Sequence, residues 1–93
     1  MVKIVLKEYL ERLNAIEVMK PRGEPRKQVP TISELAKKSG LHRGSLYRIA
    51  HQPAGALHFK TANKIIKAMR AFGFDMQIQD LVTYEEDEDL SEE

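Results

Sequence analysis

The stretch Thr31–His51, TISELAKKSGLHRGSLYRIAH, decides how this 93-residue chain folds. Thr31-Ile-Ser-Glu34 is a capping box: the Thr31 hydroxyl accepts from the Glu34 amide while the Glu34 carboxylate reaches back to the Thr31 N–H. It predicts a short helix running to about Lys38 and stopped by Ser39-Gly40, because glycine takes the left-handed turn without a Cβ penalty. A second short helix follows from about Arg43 to His51, closed by Pro53 and Gly55. Ala36 is small where the two helices nearly touch, and Gly40, four residues on, makes the turn. Leu41, Leu46 and Ile49 are apolar where the second helix must be pinned to the first, with Leu35 on the buried side. Residue size, turn and polarity at these spacings describe a helix-turn-helix.

Upstream, Leu6, Tyr9, Leu10, Leu13, Ile16 and Met19 lie on one face at helical spacing, which predicts a helix over 6–19. Pro21 stops it. Lys20–Pro30, KPRGEPRKQVP, has three prolines, one glycine and four basic residues and reads as an exposed, unpacked basic loop. Downstream, Thr61 is the expected cap of a helix whose Ala62, Ile65, Met69 and Phe72 share a face with Ile66 beside them, ending at Gly73. The segment Ile78–Tyr84 fits either a last helical turn or a short strand, and Leu81–Tyr84 could pair with the β-branched Val2–Val5. The expected fold is all-α, four to five helices around Leu6, Leu10, Leu13, Leu35, Ala36, Leu41, Leu46, Ile49, Ile65, Met69 and Phe72, with that short terminal β pairing added.

The formal net charge of +1 hides a split. Residues 1–74 carry all 15 Lys+Arg and five acids, a balance of +10, whereas residues 75–93 carry nine acids and no base. A basic body calls for an anionic partner, and nucleic acid is the usual one. From Glu85 on, EEDEDLSEE is a like-charge block expected to be disordered. The chain therefore divides into one domain over 1–84 and an acidic tail over 85–93. No apolar run reaches the ~20 residues of a membrane helix and no signal-type segment follows Met1, so a soluble, cytoplasmic protein is expected.

The segment Thr31–His51 resembles the helix-turn-helix of the lambda-repressor-like family, also called the Cro-repressor or XRE-like family. The similarity extends over about residues 4–84, with Thr61–Gly73 matching the family's fourth helix. The 20–30 loop is longer than the family pattern, and the acidic tail is extra. The resemblance implies a double-stranded DNA partner, a homodimer and a repressor-type transcriptional regulator. It places sequence readout at His42, Arg43, Gly44, Tyr47, Arg48 and His51.

The residues support this independently. That set occupies the face of helix 43–51 not used for packing, and such a helix fits the major groove. There Arg43 or Arg48 can donate two hydrogen bonds to guanine O6 and N7. Tyr47 can meet a thymine methyl or a phosphate. Gly44 costs about 1 kcal/mol relative to alanine within a helix, and its bare backbone would let the helix approach the bases. Phosphate contacts are expected from helix N-termini and nearby cations: Thr31 and Ser33, Lys60, Thr61, Asn63 and Lys64, with Arg26 and Lys27 from the loop.

Other chemistry finds little support. Zero cysteines exclude disulfides, a thiol nucleophile and thiolate zinc sites. His42, His51 and His58 lack metal-ligand spacing, no serine sits in an elbow-type glycine pattern, and no phosphate-binding glycine loop occurs. The reading is of a non-enzyme that needs no metal and no cofactor. Its competitor is an antitoxin or adaptor whose acidic tail binds a protein partner.

Overall fold

The computed structural model describes residues 2–52 and 55–86. Its elements run β1 (Val2–Ile4), α1 (Leu6–Val18), α2 (Ile32–Ser39), α3 (Arg43–His51), α4 (Phe59–Ala71), α5 (Ile78–Leu81) and β2 (Val82–Tyr84). α2 packs on α3 and α4, while α1 lies against α3 and α5. Leu6, Leu35, Leu46, Ile65, Met69, Met76 and Leu81 are fully buried at the centre, each contributing about 1.5–3 kcal/mol relative to exposure. The all-α domain with one small β pairing is what the periodicities predict.

The capping box forms as read. Glu34 N–H donates to Thr31 Oγ1 at 3.1 Å, and Thr31 N–H donates to the Glu34 carboxylate at 2.9 Å. Gly40 ends α2 at φ +77°, a conformation that a residue with a Cβ adopts only under strain. Ala36 is buried beneath the turn, and α3 has the expected bounds. The expected stop at Pro53 lies outside the described residues.

The two chain ends close on each other. β1 and β2 pair antiparallel with Val2 opposite Tyr84 and Ile4 opposite Val82. Val5 N–H extends the ladder by donating to the Leu81 carbonyl at 2.8 Å. Ile78–Tyr84 is thus helical turn first and strand second, and Gln77 and Asp80 cap the turn reciprocally. Glu85 reaches Lys3 beyond the end of the ladder. The acidic segment from residue 87 onward lies outside the described residues.

Four expectations are corrected. The apolar stripe of α1 is longer than the surface that covers it: Leu6, Tyr9 and Leu10 are buried, Leu13 half so, yet Ile16 and Met19 are exposed. The end of α1 is instead engaged through Glu17, whose carboxylate accepts the Lys27 amide at 2.6 Å and pairs with Lys20 Nζ at 3.0 Å. Those two donors hold the Glu17 carboxyl below its ordinary value, the Lys20 ammonium first.

The loop at 20–30 is not unpacked. Val29 and Pro30 are buried, and Lys27 Nζ donates to the Gly73 carbonyl at 2.7 Å above the Phe74 ring. Prolines prevent a helix there, but an extended chain can still lie flat across the body.

α4 starts at Phe59 with His58 as its N-cap residue, not at Thr61. Leu57 and Ala62 stand at the two positions of a hydrophobic staple and both join the core, which sets the entry earlier than the Thr61 hydroxyl suggests. The exit is a Schellman turn: Phe74 N–H donates to Met69 O and Gly73 N–H to Arg70 O, with Gly73 at φ +96°. The expected core is also extended, because Ile4, Tyr9, Val29, Ala50, Ala62, Ala68, Phe74, Met76 and Leu81 are buried too, while Leu13, Leu41, Ile49 and Phe72 are only partly covered.

Candidate nucleic-acid interface

α3 buries Leu46 and Ala50, half-buries Ile49, and turns the rest of its surface outward. At about 100° per residue, Arg43, Tyr47, His51, Gly44 and Arg48 fall within an arc of about 140°. The exposed Tyr47 ring leans on His51, with centroids 4.1 Å apart and planes at 37°. Arg43 and Arg48 have no hydrogen-bond or ion-pair partner among the described residues, so both guanidiniums are free to reach an acceptor. Five of the six expected readout residues thus share one exposed helical face.

The sixth has a local duty first. His42 is the N-cap of α3, and its Nδ1 accepts the Gly44 N–H at 3.1 Å. That bond makes Nδ1 an acceptor, leaving Nε2–H as the outward donor. Gly44 is explained by the same contact. A Cβ there would sit 3.3 Å from His42 Nδ1, tighter than ordinary packing, so the bare backbone makes room for the cap.

The expected phosphate contacts divide into three groups. Lys60, Asn63 and Lys64 are exposed on the first two turns of α4, with Thr61 half-buried between them. The His58 side chain makes no capping bond and no acid occupies the first turn, so the leading amides and the positive dipole end stay open. Thr31 and Ser33 start α2, where the Glu34 carboxylate already holds the Thr31 N–H.

Arg26 and Lys27 lie elsewhere. Arg26 donates to the Lys20 carbonyl at 3.3 Å, and Lys27 is bound to Gly73 at the far end of α4. A 13-residue helix is about 20 Å long, so these two are not brought together with Lys60 and Lys64. Ser45, Gln52 and His58, none of them expected at the DNA contact, line one cleft with Arg48. No local signal marks them, since the cleft exists only where residues 55–58 lie opposite α3.

What the arrangement offers is a cationic helix face with hydrogen-bond donors at its edge and an open helix start beside it. No described helix is long and apolar enough to cross a membrane. A family model described as the Cro/C1-type helix-turn-helix DNA-binding domain matches residues 26–87, a span that takes in α2 to β2 and leaves α1 outside. No curated protein and no solved structure matches the chain.

Proposed function

The chain belongs to the Cro/C1-type helix-turn-helix DNA-binding family, and from that premise we propose that it is a sequence-specific transcriptional regulator of repressor type. α3 enters the major groove and Arg43 and Arg48 read guanine edges. Tyr47 meets a thymine methyl or a phosphate, and His42 and His51 border the contact. Lys60, Asn63, Lys64 and the leading amides of α4 hold the adjacent phosphates and fix the register, which carries no sequence information by itself. The protein acts as a homodimer in the cytoplasm, its two α3 helices in successive major grooves about 34 Å apart, and it represses by occupying the DNA.

The observation that carries this reading is the single exposed arc of α3 holding two guanidiniums without partners among the described residues. Selection of duplexes from a random pool by the purified protein tests it, and should return a site with two related halves. Arg48→Ala and Arg43→Ala should each lose about 1–3 kcal/mol on that site and relax the preference at one base pair. Parental affinity in Arg48→Ala would refute the groove assignment.

A further inference from the structure

Between α3 and the segment that leads into α4 lies an open cleft of about 400 Å³. Its wall is apolar, formed by Ile4 of β1, Leu41, Ile49 and Leu57. Its rim carries Arg48, Gln52, His58 and Thr61, and no acid among the described residues lines it. The volume falls within the range of small-molecule sites, and the combination of an apolar wall with a few convergent polar groups is their usual chemistry. A phosphate of the DNA backbone would use the rim and leave the wall unfilled, because it has no apolar body.

We propose that this cleft binds a small organic anion, a carboxylate or phosphate monoester on a body about the size of one ring, and that its occupation withdraws Arg48 from DNA. The apolar body lies against Leu41, Ile49 and Leu57. The anionic head faces the Arg48 guanidinium, which has no other partner among the described residues, with the Gln52 amide and the Thr61 hydroxyl within the same rim. Arg48 cannot serve this head and a guanine edge at once, so the ligand and the operator compete. The competition rests on the reading of Arg48 as a base reader; the cleft and its ligand do not.

The test uses the full chain without DNA, followed by amide NMR, with phenyl phosphate as the probe beside inorganic phosphate and benzyl alcohol. Phenyl phosphate should move the amides of Leu41, Ser45, Ile49 and Leu57 to saturation, and the other two probes should move them far less. Gln52→Glu places a like charge on the rim at an exposed position and should weaken phenyl phosphate about tenfold.

Equal, diffuse shifts from phenyl and inorganic phosphate across Lys60, Lys64 and Lys67 would reduce the effect to an ion atmosphere and overturn the site. Absence of any shift would do the same. In a second arm, phenyl phosphate should lower the affinity for the selected duplex more than inorganic phosphate at equal ionic strength. Unchanged affinity at saturation overturns the competition. A protein that selects no duplex yet binds phenyl phosphate in the cleft refutes the regulator reading alone.

Discussion

α2 and α4 both begin on the cationic body, and they are closed in opposite ways. At α2 the Thr31 hydroxyl takes the Glu34 amide and the Glu34 carboxylate takes the Thr31 amide. At α4 the His58 side chain caps nothing and Lys60 follows in the first turn. Each start presents the positive end of a helix dipole. Only one of them leaves that end to an outside anion. A capping box stabilises the helix by spending the amides, and adding the negative charge, that a phosphate would otherwise meet. The open start gives up that stability and keeps its donors. On the proposed DNA-binding reading, phosphate anchoring belongs to α4 more than to α2, although both starts carry a threonine that reads as a cap.

The largest expected effect tests the stability half of this contrast. Thr31→Ala should cost about 0.5–2 kcal/mol, whereas His58→Ala should cost almost nothing, both read from the urea midpoint. Equal losses would erase the distinction. On the binding half, Lys64→Ala should weaken every duplex about equally and flatten the dependence of log K on log salt by about one unit. Ser33→Ala should leave that slope where it is.

A charge placed at a helix start is worth about 0.3–1 kcal/mol at low ionic strength. Glu34→Gln should therefore tighten non-specific DNA binding slightly, and His58→Asp should loosen it while raising the urea midpoint. A larger change in Glu34→Gln than in His58→Asp would show that phosphate approaches α2 rather than α4.

The smallest effect concerns another carboxylate that accepts a backbone N–H, Glu17, which does for the 20–30 loop what Glu34 does for α2. Its folded pKa lies below the ordinary 4.5, chiefly through the Lys20 ammonium and then the Lys27 amide. A depressed acid contributes stability that is fully present above its unfolded pKa and is lost as pH falls through the folded one. The parent should thus exceed Glu17→Gln in urea midpoint at neutral pH and converge with it in acid. A gap that persists below the carboxylate range would assign the effect to packing instead of charge.

Much of the fold is legible because its signals are local. The Thr31–Glu34 box, the glycine at 40 and the apolar trio Leu41, Leu46 and Ile49 each act within a few residues. So does the outward face of α3, since burying Leu46 and Ala50 leaves Arg43, Tyr47, Arg48 and His51 on the other side. The start of α4 was obscured by a competing local signal: Thr61 is a good cap residue, but Leu57 and Ala62 enter the core together and bring the helix in from His58. His42 shows the reverse case, a side chain that looks free for readout and spends one nitrogen on the Gly44 amide.

By itself the sequence determined the helix-turn-helix and the composition of its exposed face, because caps, turns and periodicities depend on neighbours along the chain. The pairing of the two chain ends was one of two readings until the fold brought Val2 opposite Tyr84. Only the tertiary structure decided which apolar residues are covered, where the prolines lead and which cations stay free. Ile16 and Met19 are exposed because none of the described residues covers them, and Lys27 is held because the Gly73 carbonyl, 46 residues away, is where its ammonium lands. Burial and ion pairing are set by chain that arrives from a distance, and no local pattern records where that chain will be.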